Sequence, residues 1–329
     1  MTALAPTLQA FFTDRLARQR NASPHTIAGY RDTWRMLLKF AAARTGTQPW
    51  ALDFAELDAT VIGAFLDHLE HERGNSIRTR NTRLAAIHSL FRYAALAHPE
   101  HAQSISRVLA IPPKRYDRAL VDYLTEPEVE ALLAACDQST WTGRRDHMLI
   151  LLAVQTGLRI SEIIALKPDD LHLGTGAHVI CHGKGRKERA TPLTTSTRAA
   201  LRDWLNENGG DSASPVFPTR QGRPLSRDAI EHRISHYTAL AINNCPSLGD
   251  KKVTAHVLRH TTAMRLLHAG VDLAVIALWL GHVSVETTQI YLHADMTIKE
   301  RALSRTRPTN SRHGRYHPPD TLLAWLEAL

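Results

Sequence analysis

Three cysteines in 329 residues, at Cys136, Cys181 and Cys245, are too scattered and odd in number for a disulfide framework. The expectation is a reducing compartment. Long apolar runs are lacking too. The longest, Met148 to Val154 and Leu273 to Leu280, are far too short to cross a bilayer. No basic stretch followed by an apolar one opens the chain, so no signal peptide and a cytoplasmic location are expected. There is no internal repeat and no acidic half. Lys and Arg number 40 against 32 Asp and Glu, a formal charge of +8, with a sequence pI of about 9.6. Residues 1–108 hold thirteen basic and nine acidic side chains, and the remainder twenty-seven and twenty-three. The excess is thus shared equally. It is compatible with an anionic partner, and if that partner is nucleic acid, both halves are able to face it.

What is present is a globular chain, 43% hydrophobic and 22% charged, long enough for about two domains and a core without metals or disulfides. Ser23-Pro24 reads as a helix cap with proline in the first turn. Behind it Ile27, Tyr30, Trp34, Leu37, Leu38 and Ala41 recur at helical spacing. A second helix fits Ala59 to His71, ended by Gly74-Asn75. Ser76 caps a third that runs to about Ala97, with Leu84, Ile87, Leu90 and Phe91 as its buried stripe. Arg78, Arg80 and Arg83 in its first turns read either as a solvated face or as phosphate contacts in a DNA groove. Pro112-Pro113 and the basic Lys114 and Arg115 interrupt the pattern and place a linker at 109–124. Thr125 and Glu128 then form a capping box. A long apolar helix follows from about Arg144 to Gln155, stopped at Gly157. The strand signal lies at 177–193, two short β-rich runs flanking Gly183-Lys184-Gly185-Arg186, a hairpin. Helices are expected near 195–207, 226–243, 256–269, 272–280 and 284–293. The overall class is mainly α with a small β-hairpin or sheet. The end is different again: residues 301–319 carry five arginines and no acid, and Asp320 to Leu329 reads as a short amphipathic helix with Leu322, Trp325, Leu326 and Leu329 on one face. Such a helix is too short to stand alone and should dock on its own chain or a neighbour.

Four segments carry side chains suited to phosphodiester chemistry: Thr156-Gly-Leu-Arg-Ile-Ser-Glu162, Gly183-Lys-Gly-Arg-Lys-Glu-Arg189, His256-Val-Leu-Arg-His260, and Leu280-Gly-His282 with Tyr291 nine residues on. Singly, each has a plain structural reading: a helix break, a soluble turn, a satisfied helix-face histidine, a core tyrosine. A zinc site at His256 and His260 lacks the glutamate of a His-Glu-x-x-His helix. Jointly they form a working set. Arginine forks bind both non-bridging oxygens of a phosphate and neutralise its developing charge. A tyrosine hydroxyl attacks only as it loses its proton, which a histidine can accept, and a lysine on a flexible turn can protonate the leaving oxygen.

In order and spacing these four segments resemble the tyrosine recombinase (phage integrase) family, particularly its Xer-like members. The likeness covers most of the chain to about residue 300. It implies a SAM-like helical core-binding domain at 1–108 and a catalytic domain at 125–304, the two forming a C-shaped clamp on duplex DNA; the basic tail at 305–329 with its docking helix is a departure, since shorter relatives end with one helix that docks on the neighbouring protomer. Carried over residue by residue, it implies that Arg159 and Arg259 clamp the scissile phosphate. Lys184 is then the general acid, with Lys187 its rival. His256 is a base or acid near the tyrosine, His282 orients phosphate or nucleophile, and Tyr291 attacks to give a 3′-phosphotyrosyl link; Glu162 supports the pocket. No cofactor or metal is implied. The activity implied is site-specific DNA recombination through a Holliday junction by a tetramer on paired sites, with or without related recombinases, and without a membrane partner. A mobile-element role is favoured by the atypical tail. A chromosome- or plasmid-dimer resolvase, a type IB topoisomerase-like enzyme and a catalytically dead DNA-binding regulator are the alternatives.

Overall fold

The computed structural model describes residues 4–116, 121–182, 188–209, 213–282, 288, 289 and 291. The chain divides into two units between Arg118 and Ala119, inside the stretch expected to be a linker.

The first unit is helical throughout. Helix α1 (Leu4–Ala10) runs on as a π-helical stretch, Phe11–Gln19, followed by α2 (Pro24–Thr45), α3 (Ala59–His71), α4 (Ile77–Ala97) and α5 (Ala102–Leu109). The caps expected at Ser23 and Ser76 are formed: each side chain accepts the backbone N–H three residues on, as does Asp58 before α3. Gly46 closes α2 at φ 72°, the left-handed conformation that glycine reaches at no steric cost. Trp34, Leu37, Phe65, Leu66, Leu84, Ile87, Leu90 and Phe91 fill the core, and Trp34 stacks on Phe91 with centroids 6.3 Å apart. Each such side chain contributes roughly 1.5–3 kcal/mol when buried. The helical residues 4–19 and 102–109 were not expected. In the first, the buried positions Phe11 and Leu16 are five apart, and the Arg20 N–H reaches Arg15 O five residues back. That is π rather than α spacing, so a search at 3.6 residues passes over it.

The second unit begins with α6 (Glu126–Ala134), α7 (Trp141–Thr156) and α8 (Ile160–Ala165). A three-stranded antiparallel sheet follows, in the order β1 (Leu171–His172), β2 (His178–His182), β3 (Glu188–Pro192). Then come α9 (Thr195–Glu207), α10 (Arg227–Ala241), α11 (Ala255–His268) and α12 (Leu273–Leu280). Strand β1 and helix α8 were not foreseen; both are too short to show a period. The tail at 305–329 and, apart from residues 288, 289 and 291, the helix expected at 284–293 lie outside the described residues.

Helix α7 is the axis of this unit, packed against α6, α9 and α11. Its buried Asp146 accepts from Arg145, Arg233 (2.7 Å) and Tyr237 (2.9 Å), and Arg145 also donates to Pro218 O at 2.8 Å. The charges are admitted to the interior because every one is paired. Gly157 ends α7 at φ 65°, and a Cβ there would lie 2.7 Å from Leu280 Cδ2 and 3.2 Å from Thr262. The end of α7, the middle of α11 and the end of α12 therefore meet at one point. The Thr262 hydroxyl donates to Val154 O at 2.7 Å and the Trp279 indole to Thr156 O at 3.0 Å, fixing the same junction.

Candidate active site

The junction sets the geometry of the site. Helix α12 closes in a Schellman turn: the Gly281 N–H donates to Leu278 O (3.0 Å) and the His282 N–H to Ala277 O (2.9 Å), with Gly281 at φ 64°. This turn leaves the carbonyls of Trp279, Leu280 and Gly281 without helical donors, at the negative end of the helix dipole. Three arginines from three distant segments take them. Arg189 Nε donates to Trp279 O at 3.0 Å, Arg259 Nη2 to Leu280 O at 2.5 Å, and Arg159 Nη2 to Gly281 O at 2.8 Å. Arg259 Nη1 also reaches Gly157 O at 2.6 Å. The motif Leu-Gly-His thus needs glycine for two reasons. A side chain at Gly281 would have to adopt positive φ, and its Cβ would lie 2.9 Å from Arg189 Nη1.

One carboxylate ties two of these cations together. Glu162 Oε2 accepts the Arg159 N–H at 2.8 Å, capping α8, while Oε1 accepts Arg159 Nη1 at 2.9 Å. Arg189 adds a bidentate fork, Nη1 to Oε1 at 2.9 Å and Nη2 to Oε2 at 2.7 Å. Burial pushes the Glu162 carboxyl up, but the Arg189 fork and the Arg159 contacts overcome it and hold the group at about 2. Arg259 is 3% exposed. Burial, then the neighbouring Arg159, lowers its guanidinium to about 10, so it remains charged near neutrality.

The histidines and the tyrosine adjoin this cluster. His282 follows Gly281 directly and its Nδ1 lies 2.9 Å from Thr288 Oγ1. Burial and the charges of Arg259 and Arg159 bring it down to about 4. His256 and His260 share one face of α11, ring centroids 4.2 Å apart and edge to face. His256 is exposed by surface area, yet the protein packed beneath its ring, then Arg259, shifts it downward. Tyr291 is 1% exposed and packs with Ala263, Met264, Ile276 and Leu280. Its hydroxyl lies 2.9 Å from Nδ1 of His260, not of His256. Burial raises the phenol to about 12 and lowers His260, also subject to His256 and Arg259, to about 3. The pair is therefore a neutral phenol on a neutral imidazole.

Of the six residues expected to do chemistry, Arg159, His256, Arg259, His282 and Tyr291 thus gather around one helix end. Lys184 lies outside the described residues; the strands that lead to it, β2 and β3, pair with His182 opposite Glu188. Sequence reasoning missed Arg189 and His260 as parts of the site. Their signals were present, the last residue of the Gly-Lys-Gly-x-Lys-Glu-Arg segment and a histidine one turn after His256.

The arginines expected at DNA need correction in part. Arg78 and Arg115 are exposed. Arg80 is 5% exposed and turned inward, with Nη1 on Pro112 O at 3.3 Å and Nε 3.6 Å from Glu70. It is neither a solvated side chain nor a phosphate contact. Arg83 Nη1 donates to Gly29 O (3.1 Å) and Thr33 Oγ1 (2.9 Å), bracing α2 against α4. Lys114 pairs with Glu70 at 2.6 Å, and its backbone N–H and C=O both bond to the Asn81 amide. The first part of the expected linker is thus tied to α4. Its far end is tied to the second unit, where Lys251 Nζ reaches Tyr123 O at 2.9 Å and the Leu124 N–H reaches Thr261 Oγ1 at 2.9 Å.

Arginines converging on a histidine-flanked helix end with a tyrosine one step away define a class, the enzymes that handle a phosphodiester through a tyrosine. Comparison with known proteins identifies the family. Residues 122–297 match the phage integrase family and residues 10–98 its N-terminal SAM-like domain. The chain belongs to this family of tyrosine recombinases, enzymes that cleave and rejoin DNA strands. It is 57% identical over 327 residues to the putative integrase/recombinase y4rC of Sinorhizobium fredii, covering 99% of this chain and 98% of that one. It is 33% identical to the tyrosine recombinase XerC of Xanthomonas campestris pv. campestris, over 92% and 88% of the two chains. Among solved structures, XerH bound to its difH substrate before cleavage superposes with a TM-score of 0.65 at 26% identity, over 87% of this chain and 81% of that one. Among the described residues, no helix is long and apolar enough to cross a membrane.

Proposed function

We infer that this chain is a site-specific recombinase of duplex DNA in which Tyr291 is the nucleophile. The observation that carries the reading is the convergence of Arg159 and Arg259, a hundred residues apart in sequence, on the adjacent carbonyls of Gly281 and Leu280, one residue from His282. A phosphate held there would meet two guanidinium forks. Tyr291 Oη forms the bond to phosphorus and the 5′ oxygen leaves. The phenolic proton passes to His256, and Lys184 supplies the proton that the leaving oxygen takes. To attack, the Tyr291 hydroxyl must exchange its contact with His260 for the phosphate. The ester so formed keeps the energy of the broken bond, and a 5′-hydroxyl of another strand reverses the step. Two rounds on four strands, by a tetramer on paired sites, exchange them through a Holliday junction.

Residues 1–108 would bind the same duplex, with Arg78, and Arg115 of the linker, on phosphates, the protein acting on the nucleoid of the cytoplasm. XerH, a relative in fold and sequence, was solved on DNA, which supports the partner. The likeness to y4rC along nearly the whole chain supports integration or excision of a mobile element over dimer resolution. The test uses a nicked duplex built from the sequences that flank the gene. Wild-type protein should form a covalent adduct that migrates with protein and DNA together, and Tyr291→Phe should form none. An adduct with the Phe variant would overturn the assignment.

A further inference from the structure

Strand β2 ends in a histidine that the chemistry above does not use. His182 Nε2 lies 3.0 Å from Asp170 Oδ1, and its Nδ1 lies 3.2 Å from Glu188 Oε1. The two carboxylates belong to different parts of the unit. Asp170 closes a 3₁₀ turn, Pro168–Asp170, before β1; its second oxygen accepts the Lys167 N–H at 2.9 Å, so the carboxylate is held in place. Glu188 is the first residue of β3 and the cross-strand partner of His182. His182 therefore stands at the root of the hairpin, one covalent step before residue 183, and spans from a fixed turn to the strand on which the chain returns.

An imidazole with a carboxylate at each nitrogen satisfies both only when it carries two protons. In the neutral ring one nitrogen presents a lone pair to an anion, and that side of the span is repelled. The hydrogen bond to Asp170 raises the affinity of His182 for its second proton; desolvation opposes it, and the charges of Asp170 and Glu188 add to the rise. The cations nearby are engaged elsewhere: Lys167 meets Asp170 through its backbone, and Arg189 is turned to Glu162.

We propose that His182, bridging Asp170 and Glu188, is a positioning residue for the protonation of the leaving 5′ oxygen: it fixes the strand ends between which Lys184 lies in the sequence. The proposal rests on Lys184 being the general acid. His182 is exposed, so replacing it leaves the core untouched, and its effect should appear only in the step that needs the lysine's proton.

The chemistry supplies a selective probe. A substrate whose scissile phosphate carries sulfur in place of the 5′ bridging oxygen releases a thiolate. Its conjugate acid has a pKa near 8.5, so it departs without a donated proton. Single-turnover formation of the covalent adduct would be followed on oxygen and sulfur substrates with wild type, Lys184→Ala, His182→Ala, His182→Gln and Asp170→Asn. Lys184→Ala should slow the oxygen substrate by about 10²- to 10⁴-fold and react at nearly the wild-type rate with sulfur. His182→Ala should slow the oxygen substrate by about ten- to a hundredfold, the cost of misplacing a catalytic group, and also recover with sulfur. His182→Gln, which cannot donate from both sides, and Asp170→Asn should fall between wild type and His182→Ala. The wild-type rate on oxygen should carry a decline as pH rises through the raised His182 pKa, and His182→Ala should lack it. A His182→Ala protein equally slow on both substrates, or unimpaired on both, overturns the brace while leaving the lysine assignment standing. A Lys184→Ala protein that sulfur does not rescue overturns the lysine assignment and the brace with it.

Discussion

Replacing Glu162 by glutamine keeps the shape of the side chain and removes its charge from between two arginines. The carboxyl stands at about 2 in the folded chain against 4.5 for a free glutamate. At about 1.4 kcal/mol per unit, that depression contributes about 3 kcal/mol of stability near neutral pH. Because the folded value is the lower one, the contribution is fully present above the unfolded pKa and fades as pH falls toward the folded one. Near pH 3 about 1.4 kcal/mol should remain. Urea unfolding of both proteins should therefore show Glu162→Gln less stable by about 2–3 kcal/mol near pH 7, part of the loss offset by hydrogen bonds that the amide retains. The gap should narrow by about 2 kcal/mol at pH 3. Arg159 and Arg189 would lose their common anchor, so cleavage should fall more than stability does. A gap that is the same at both pH values would refute the argument, since it would mean that the carboxylate charge is not what holds the arginines.

Four further changes extend these predictions, two at the same construction and two in the first unit. Gly281→Ala forces positive φ on a residue with a Cβ, costing about 1–2 kcal/mol, and drives that Cβ against the Arg189 guanidinium; thermal melting and single-turnover cleavage should both fall, the second more. Arg259→Lys keeps a cation but cannot reach both Gly157 O and Leu280 O, so adduct formation should drop about 10²-fold or more with substrate binding little changed. Arg80→Ala should lower stability and leave the salt dependence of DNA binding alone. Arg78→Ala should do the reverse and reduce the slope of log affinity on log salt by about one.

Much of the fold is legible in the sequence because its signals are local. Ser23, Asp58 and Ser76 each cap a helix through an N–H three residues away, and Gly157 and Gly281 end helices because only their backbones turn left-handed cheaply. Elements lacking a local signal are not legible. Two-residue β1 has no period, α8 is a turn and a half, and the π-helical stretch carries its apolar residues at the wrong interval for an α-helix. The site divides in the same way. The order of its motifs named the residues, but Arg189 looked like the end of a hairpin and His260 like a neighbour of the important arginine.

By itself, then, the sequence determined which side chains are on hand for phosphodiester chemistry, in what order, and on which helices, since those follow from residue type and from contacts within a turn. Tertiary structure alone decided what each of them touches. It took Arg80 out of the groove-facing set by giving it Pro112 and Glu70 as partners, and it joined Arg159 and Arg189 through Glu162. It set the Tyr291 hydroxyl on His260 rather than His256. An arginine or a phenol takes its role from the acceptor it meets. Three of those partners, Pro112, His260 and Gly281, lie some thirty to more than a hundred positions away along the chain, where no local pattern points to them.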